Sequence, residues 1–245
     1  ERMPNHTYNE YQIRKDEPVN ARYYYRTNGL VNLDKSNMPS YQPEAYQKPG
    51  CPIIVDLNGD GLITVEDVDM KNVIPSLYWG FGNTFTYKNW DLDVFIYSQL
   101  GVDKYNDVYS WTSGRGLGNQ TNNMSVYIKD VWHSELNPNG TIPGIAYEMA
   151  SVSLPGGAGT DIGYENSSFV RVRNITLGYN FKPNQLGALS KLLSGIRVYV
   201  DVQNPFTFTG YTGLDPEVNT GGNYKGGKAE YPQTRTFSLG AKLSF

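Results

Sequence analysis

The chain has 245 residues, a formal net charge of -3 and an aromatic content of 13%. Charges of both signs are scattered, which gives no basic footprint for nucleic acid, and a single cysteine, Cys51, cannot form an internal disulfide. Mean hydropathy is -0.50 and no stretch approaches the ~20 apolar residues of a membrane-spanning helix, which excludes a helical membrane protein but not a barrel, whose alternating strands average out.

The length suffices for a sizeable core. The sequence opens at Glu1 with neither an initiator Met nor a signal-peptide pattern, as expected of a processed product or a piece of something longer. Tyr outnumbers Phe 20 to 9, and Tyr suits places apolar at one end and wet at the other, such as membrane interfaces and sugar or peptide clefts.

Residues 1–48 are polar and loop-like around one strand near Tyr24, over 19–27, whose Tyr23-Tyr24-Tyr25 lacks a clean phase. Residues 56–67 read D-L-N-G-D-G-L-I-T-V-E-D. Asp56, Asn58 and Asp60 alternate, Gly61 follows at the sharp turn, and the Leu62 carbonyl, Thr64 and Asp67 complete an EF-hand-type spacing. Ca²⁺ takes several oxygen ligands at short range, and alternate residues of a tight loop point inward, so this pattern suits that chemistry. The closing position carries Asp67, with Glu66 before it, where an EF-hand has Glu; the shorter arm reaches less easily for bidentate binding. The alternative is a solvated Asx-rich turn without metal.

Residues 76–100 form a hairpin that predicts its own register. A two-residue turn at Lys88-Asn89 sets Tyr87 opposite Trp90, Phe85 opposite Leu92, Phe81 opposite Ile96 and Leu77 opposite Leu100 on one largely apolar face. The other face pairs Thr86 with Asp91, Thr84 with Asp93, Gly82 with Phe95 and Gly80 with Tyr97. Each strand matches the ~9–11 residues that cross a bilayer at a tilt, with Tyr87 and Trp90 as an aromatic belt at the turn.

Residues 101–166 show no such alternation and read as a long loop region with a short helix near 125–133. Its His133 has no ligand or base constellation around it and reads as an ordinary side chain. Residues 168–181 alternate again, with Ile175, Leu177, Tyr179 and Phe181 on one face. Continued backwards that face carries Arg173 and Arg171, which are expected where the strand leaves the hydrocarbon, since Arg costs ~2–4 kcal/mol at the midplane. Residues 182–195 predict a turn with a short helix. Over 196–208, Ile196, Val198, Val200, Val202, Phe206 and Phe208 share a face, and a Gly-rich loop over 210–232 leads to the last strand. There Phe237, Leu239, Ala241, Leu243 and Phe245 alternate strictly with small or polar residues.

Five strands thus stand out, 76–87, 90–100, 168–181, 196–208 and 234–245, with a sixth near Tyr24. Their two-faced pattern fits either a membrane barrel, with lipid on the apolar face, or a soluble sandwich. No nucleophile–base pair, supported carboxylate pair or phosphate-cradling loop points to an enzyme.

N-P-F-T-F-T-G-Y-T-G-L-D-P-E-V (204–218), F-V-R-V-R-N-I-T-L-G-Y (169–179), V-D-L-N-G-D-G (55–61), Y-K-N-W-D-L-D-V-F (87–95) and the terminal Phe245 resemble, in order, the C-terminal part of the SusC/RagA family of TonB-dependent outer-membrane transporters. The resemblance covers most of 15–245. It implies an all-β, antiparallel transmembrane barrel of about 22 strands, to which this chain supplies the C-terminal strands, while the plug and N-terminal strands lie outside it. It also implies a SusD-like lipoprotein lid, energy from TonB, import of glycans or peptides across a Gram-negative outer membrane, and a terminal aromatic like the signal read by barrel-assembly machinery. On this reading the Lys88-Asn89 turn and 182–195 are periplasmic, whereas 101–166, 210–232 and the segment before 76 are extracellular. Tyr109, Trp111 and Tyr211 are then the expected ligand or lid contacts, and Asp56, Asn58, Asp60, Leu62, Thr64 and Asp67 the expected Ca²⁺ ligands. The rival reading is a secreted, Ca²⁺-dependent β-sandwich that binds polysaccharide.

Overall fold

The computed structural model describes residues 22–106, 109, 124–144, 154–155, 159–218 and 231–245. Eleven strands run in chain order: β1 (Arg22–Tyr25), β2 (Thr27–Leu30), β3 (Pro52–Ile54), β4 (Val68–Lys71), β5 (Leu77–Tyr87), β6 (Trp90–Leu100), β7 (Asp103–Tyr105), β8 (Tyr164–Asn166), β9 (Phe169–Phe181), β10 (Gly195–Thr209) and β11 (Thr236–Ser244). The five long ones form one antiparallel sheet in the order β11-β10-β9-β6-β5. These are the five strands expected from the alternation, displaced by at most two residues at an end.

The hairpin register is the one the turn predicts, from Tyr87 opposite Trp90 to Leu77 opposite Leu100. It extends into rungs across all five strands. Phe85, Leu92, Leu177, Val200 and Leu239 are successive partners and every one is apolar. The adjacent rung on the opposite face, Thr84, Asp93, Thr176, Asp201 and Ser238, is polar throughout. Within it the Thr84 hydroxyl donates to Asp93 and the Thr176 hydroxyl to Asp201 at 2.6 Å. Asp93 and Asp201 therefore lie on the polar face, as expected. The apolar face is bare, with Leu239 78% and Phe208 62% exposed, and among the described residues no second sheet packs on it. A sandwich would bury that face; lipid covers it without one.

The turn end of the sheet is tightly fastened. Lys88 takes a left-handed backbone (φ 55), and the Asn89 carbonyl accepts from the Asn180 amide at 2.8 Å. The 182–194 connection contains two short 3-10 turns, Pro183–Gln185 and Gly187–Lys191, in place of the short helix expected there. Tyr87, Trp90, Tyr179 and Phe181 make the aromatic belt, with the Trp90 and Tyr179 rings edge-on at 4.8 Å.

The expectation for Arg171 and Arg173 is corrected. Between Phe95 and Ile96 of β6, strand β9 advances from Asn174 to Val172, leaving Arg173 as an extra residue. Opposite, β10 advances from Gln203 to Phe206 through Asn204, whose φ is 50. This bulge reverses the phase of β9. Val172 and Val170 continue the apolar face, paired with Phe206 and Phe208, while Arg171 turns to the polar face beside Thr207. Period-two counting from Ile175 assumes an unbroken strand, so it places both arginines on the wrong side.

On the polar face, side chains fold over two glycines. Arg197 reaches Asp91 across Gly178, and the Tyr199 ring lies over Gly240. A Cβ at Gly240 would stand 2.4 Å from the Tyr199 ring. Gly240→Val should thus displace that ring and cost about 1–3 kcal/mol, as overpacking does. The check is the unfolding midpoint of the protein in detergent, with Gly210→Val, where nothing lies within 4 Å, as the neutral control.

Candidate functional site at the loop end of the sheet

All the long connections leave from one end of the sheet, where β5, β9 and β11 begin and β6 and β10 finish. Their described residues are folded. Three two-stranded sheets, β1-β4, β2-β3 and β7-β8, stand there, and Tyr23, Tyr25, Tyr46, Cys51, Ile54, Val68 and Leu154 form a small core among them. The Tyr triplet lacks a phase because β1 is covered on both faces. Tyr23 and Tyr25 enter the core, and Tyr24 meets Tyr164 on the other side with ring centres 4.3 Å apart. The Tyr25 hydroxyl ties this core to its surroundings, its single proton shared between the carbonyls of Thr64 and Pro155 at 3.0 and 2.8 Å.

The loop end is joined to the sheet through Arg171, only 2% exposed. Its guanidinium donates to Thr207 Oγ1 at 2.9 Å, to Glu217 at 2.6 Å and to both oxygens of Asp215 at 2.9 and 3.0 Å. Arg173 also pairs with Glu217. Asp215 in turn accepts the amides of Glu217 at 2.8 Å and Gln233 at 3.0 Å, so one carboxylate gathers the loop after β10 and the approach to β11. Burial alone pushes the Asp215 carboxyl up, but the amides of Glu217 and Gln233 and the Arg171 guanidinium outweigh it and hold it below the usual carboxylate range.

A cavity of about 450 Å³ lies among these loop elements. Its walls come from β2, Pro52 of β3, the 3-10 turn Val126–Asp130 through Tyr127, residues 141–143, the stretch 161–165 and Thr212. Of the expected ligand contacts, Tyr109 stands in this wall, its ring edge-on to Tyr127 at 5.4 Å. Tyr211 departs from the expectation of an open stacking surface: it is buried, packed over Gly213 with the Lys104 ammonium 5.7 Å from its ring centre. Trp111 lies outside the described residues. Thr27, Asp161, Tyr164 and Glu165 were not anticipated; the short β7-β8 pairing that positions Glu165 closes a loop of 58 residues, 106–163, and carries no local signal.

In the 56–67 loop the glycines at 59 and 61 are left-handed, as its spacing requires. Asp56 accepts the amides of Gly59 and Gly61 at 2.7 and 2.8 Å, Asn58 that of Asp60 and Asp60 that of Leu62. These bonds, that from Gly61 first, hold the Asp56 carboxyl below the ordinary range. Asp67 is fully buried and accepts from Leu57 and Thr64. Among the described residues no three His, Cys, Asp or Glu side chains are grouped to hold a metal ion. His133 caps a turn, its Nδ1 accepting from the amides of Glu135 and Leu136.

A two-faced antiparallel sheet, short turns at one end and built loops at the other, defines a portion of a transmembrane β-barrel. Comparison with known proteins agrees. No family model matches the chain. It is 33% identical over 208 residues to the TonB-dependent receptor SusC of Bacteroides thetaiotaomicron, covering 82% of this chain and 19% of that protein. It is 28% identical over 242 residues to the TonB-dependent receptor P3 of Formosa agariphila, covering 95% and 23%. The RagAB peptide transporter shares its fold, with a TM-score of 0.69 at 22% identity over 99% of this chain and 24% of that one. The chain is therefore similar to a portion of SusC-like TonB-dependent receptors and shares the fold of a RagAB subunit, spanning about a quarter or less of the length of these relatives. They are receptors and transporters, not enzymes.

The Arg171 network generates a prediction. Arg171→Met leaves the buried Asp215 carboxylate without its cation and Glu217 with Arg173 alone, which should cost about 3–5 kcal/mol and release residues 210–218 from β9. Limited proteolysis of the full-length receptor reads this as new cleavage in that loop. Because the folded Asp215 pKa is depressed, its contribution is complete above the unfolded carboxyl pKa of ~3.9 and disappears as pH falls through the lower folded value. Wild-type cleavage should therefore appear only in strong acid.

Proposed function

We propose that this chain supplies strands and extracellular loops to an outer-membrane, TonB-dependent importer of glycans or peptides that works with a SusD-like surface lipoprotein. The observation that carries the reading is the five-strand sheet, whose rungs are apolar on one face and polar on the other across a bilayer's span. Similarity to receptors named for TonB dependence supports the energy source, and the fold shared with a peptide transporter supports import. In this reading the apolar rungs face lipid in a Gram-negative outer membrane, the turn end is periplasmic and the loop end extracellular. β5 and β11 are the sheet's edges, and strands from the rest of the receptor close the barrel against them, since unpaired backbone groups cost several kcal/mol each in hydrocarbon. In cells carrying the full-length receptor, uptake of its oligosaccharide or peptide substrate should fall to background when TonB or the partner lipoprotein is deleted. Undiminished uptake in both deletions would overturn the proposal.

The 56–67 loop enters the same proposal as a Ca²⁺ site. Its support is the all-oxygen donor set of Asp56, Asn58, Asp60, the Leu62 carbonyl, Thr64 and Asp67, together with the left-handed Gly59 and Gly61. The carboxylates must turn from main-chain amides to an ion, so binding should be weak, in the ~10⁻⁴–10⁻³ M range of extracellular modules. Terbium luminescence, displaced by millimolar Ca²⁺ and lost in Asp60→Ala, is the expected result; no luminescence leaves a self-capped turn.

A further inference from the structure

The cavity at the loop end carries a charge pattern that says what it accepts. Among the described residues its lining contains two carboxylates, Asp161 and Glu165, and no Lys, Arg or His. Cations of nearby elements are directed elsewhere. Arg26 pairs with Asp69 at 2.5 Å, and the Lys104 ammonium donates to the carbonyls of Pro216 and Val218 at 2.6 Å each, although Lys104 is the cross-strand partner of Glu165.

The two carboxylates are held differently. Glu165 is fixed on both oxygens, accepting from Asn106 Nδ2 and Thr212 Oγ1 on one and from the Thr212 amide on the other, each at 2.8 Å. Asp161 accepts from Thr27 Oγ1 at 2.7 Å through Oδ1, and among the described residues Oδ2 accepts no hydrogen bond. One charged acceptor is thus locked as part of the wall, and the other keeps an oxygen available in a partly buried site. The rings of Tyr109 and Tyr127, edge to face, line the same cavity. Carboxylates beside aromatic rings suit an ammonium group, which gains ion pairing from one and quadrupole attraction from the other. An acidic ligand meets two like charges there and, among the described lining residues, no cation.

We propose that this cavity binds the ammonium group of a peptide, a lysine side chain or an amino terminus, with Asp161 as its direct partner, Glu165 as a fixed second charge and Tyr127 as a ring wall. The proposal rests on the import reading and narrows it to peptides at this site. The volume fits such a fragment, within the ~300–1,000 Å³ usual for small-ligand pockets. It also assigns Thr27 and Thr212 a positioning role, since their hydroxyls orient the two carboxylates.

The test uses the full-length receptor purified in detergent, with a fluorescent lysine-containing tripeptide and the same tripeptide acetylated on every amine. Acetylation removes the charge and leaves the backbone, and it should weaken binding about ten-fold, the scale of one charge-assisted contact. Asp161→Asn keeps the acceptor for Thr27 and should bring the two peptides to equal affinity, whereas Tyr127→Ala should weaken the unmodified peptide more than the acetylated one. Added salt should reduce only the unmodified peptide's binding, a readout that needs no variant. Equal affinity of the two peptides in wild type, discrimination that survives Asp161→Asn, or a neutral oligosaccharide that occupies the site in the peptide's place would each overturn the proposal. Parallel uptake in cells separates the two readings. Uptake that depends on TonB without discrimination at the cavity sinks this inference alone, and discrimination without such uptake sinks the transport reading alone.

Discussion

A sheet that lies in hydrocarbon has no water to satisfy its backbone, so every amide and carbonyl inside the bilayer must find a strand partner. That constraint governs this chain. β6, β9 and β10 are paired on both sides, and the rungs Leu92-Leu177-Val200 and Val94-Ile175-Val202 are apolar throughout while Asp93-Thr176-Asp201 is polar throughout. A slip of one residue anywhere would turn Asp93 or Asp201 toward lipid and break several rungs together. Even Ser98, which sits on the apolar face between Trp79 and Val170, is fully buried with its hydroxyl on the Phe169 carbonyl at 2.7 Å.

The same constraint explains the bulge. A strand that leaves the membrane must change what its sides meet, and β9 does so by inserting Arg173 while β10 opens at Asn204. The apolar face stays unbroken through Val172 and Val170, and Arg171 is delivered to the interior. A buried guanidinium is costly unless its donors are matched. Here Thr207, Asp215 and Glu217 match them, and the Phe169 ring lies 5.2 Å away. Removing one partner is expensive for the same reason that the assembled set is tolerated, so the network fixes the loop's position more than it adds to the strength of the sheet.

Legibility followed the range of the interactions. The hairpin β5-β6 was readable to the residue because a two-residue turn sets register locally and each face has its own chemistry. β10 and β11 were readable for the second reason alone. Arg171 was misplaced because a bulge is a pairing irregularity, visible only against β6 and β10. The residues of the cavity were mostly illegible: Asp161 and Glu165 sit in a stretch without periodicity and acquire meaning only when Thr27 and Thr212 arrive from far along the chain. Tyr211 misled in the opposite direction, since an aromatic in a Gly-rich loop reads as a ligand platform until its neighbours bury it. The strand near Tyr24 was detectable but unphased, as a strand covered on both faces must be.

The cavity and the Arg171 network are mechanically one object. Thr212 holds Glu165 in the cavity wall, and three residues further on Asp215 holds Arg171 on the sheet. Between them Gly213 lies against the ring of Tyr211, which leaves little slack. Asp161 hangs from the other side, its amide on the carbonyl of Tyr25 in the small tyrosine core and its carboxylate on Thr27 of β2. A charge that settles between Asp161 and Glu165 therefore bridges the core of the loop region to a segment anchored on the barrel wall. Binding at the proposed site is expected to tighten the loop region against the sheet, and loss of the Arg171 contacts to loosen one wall of the cavity even though Arg171 does not line it.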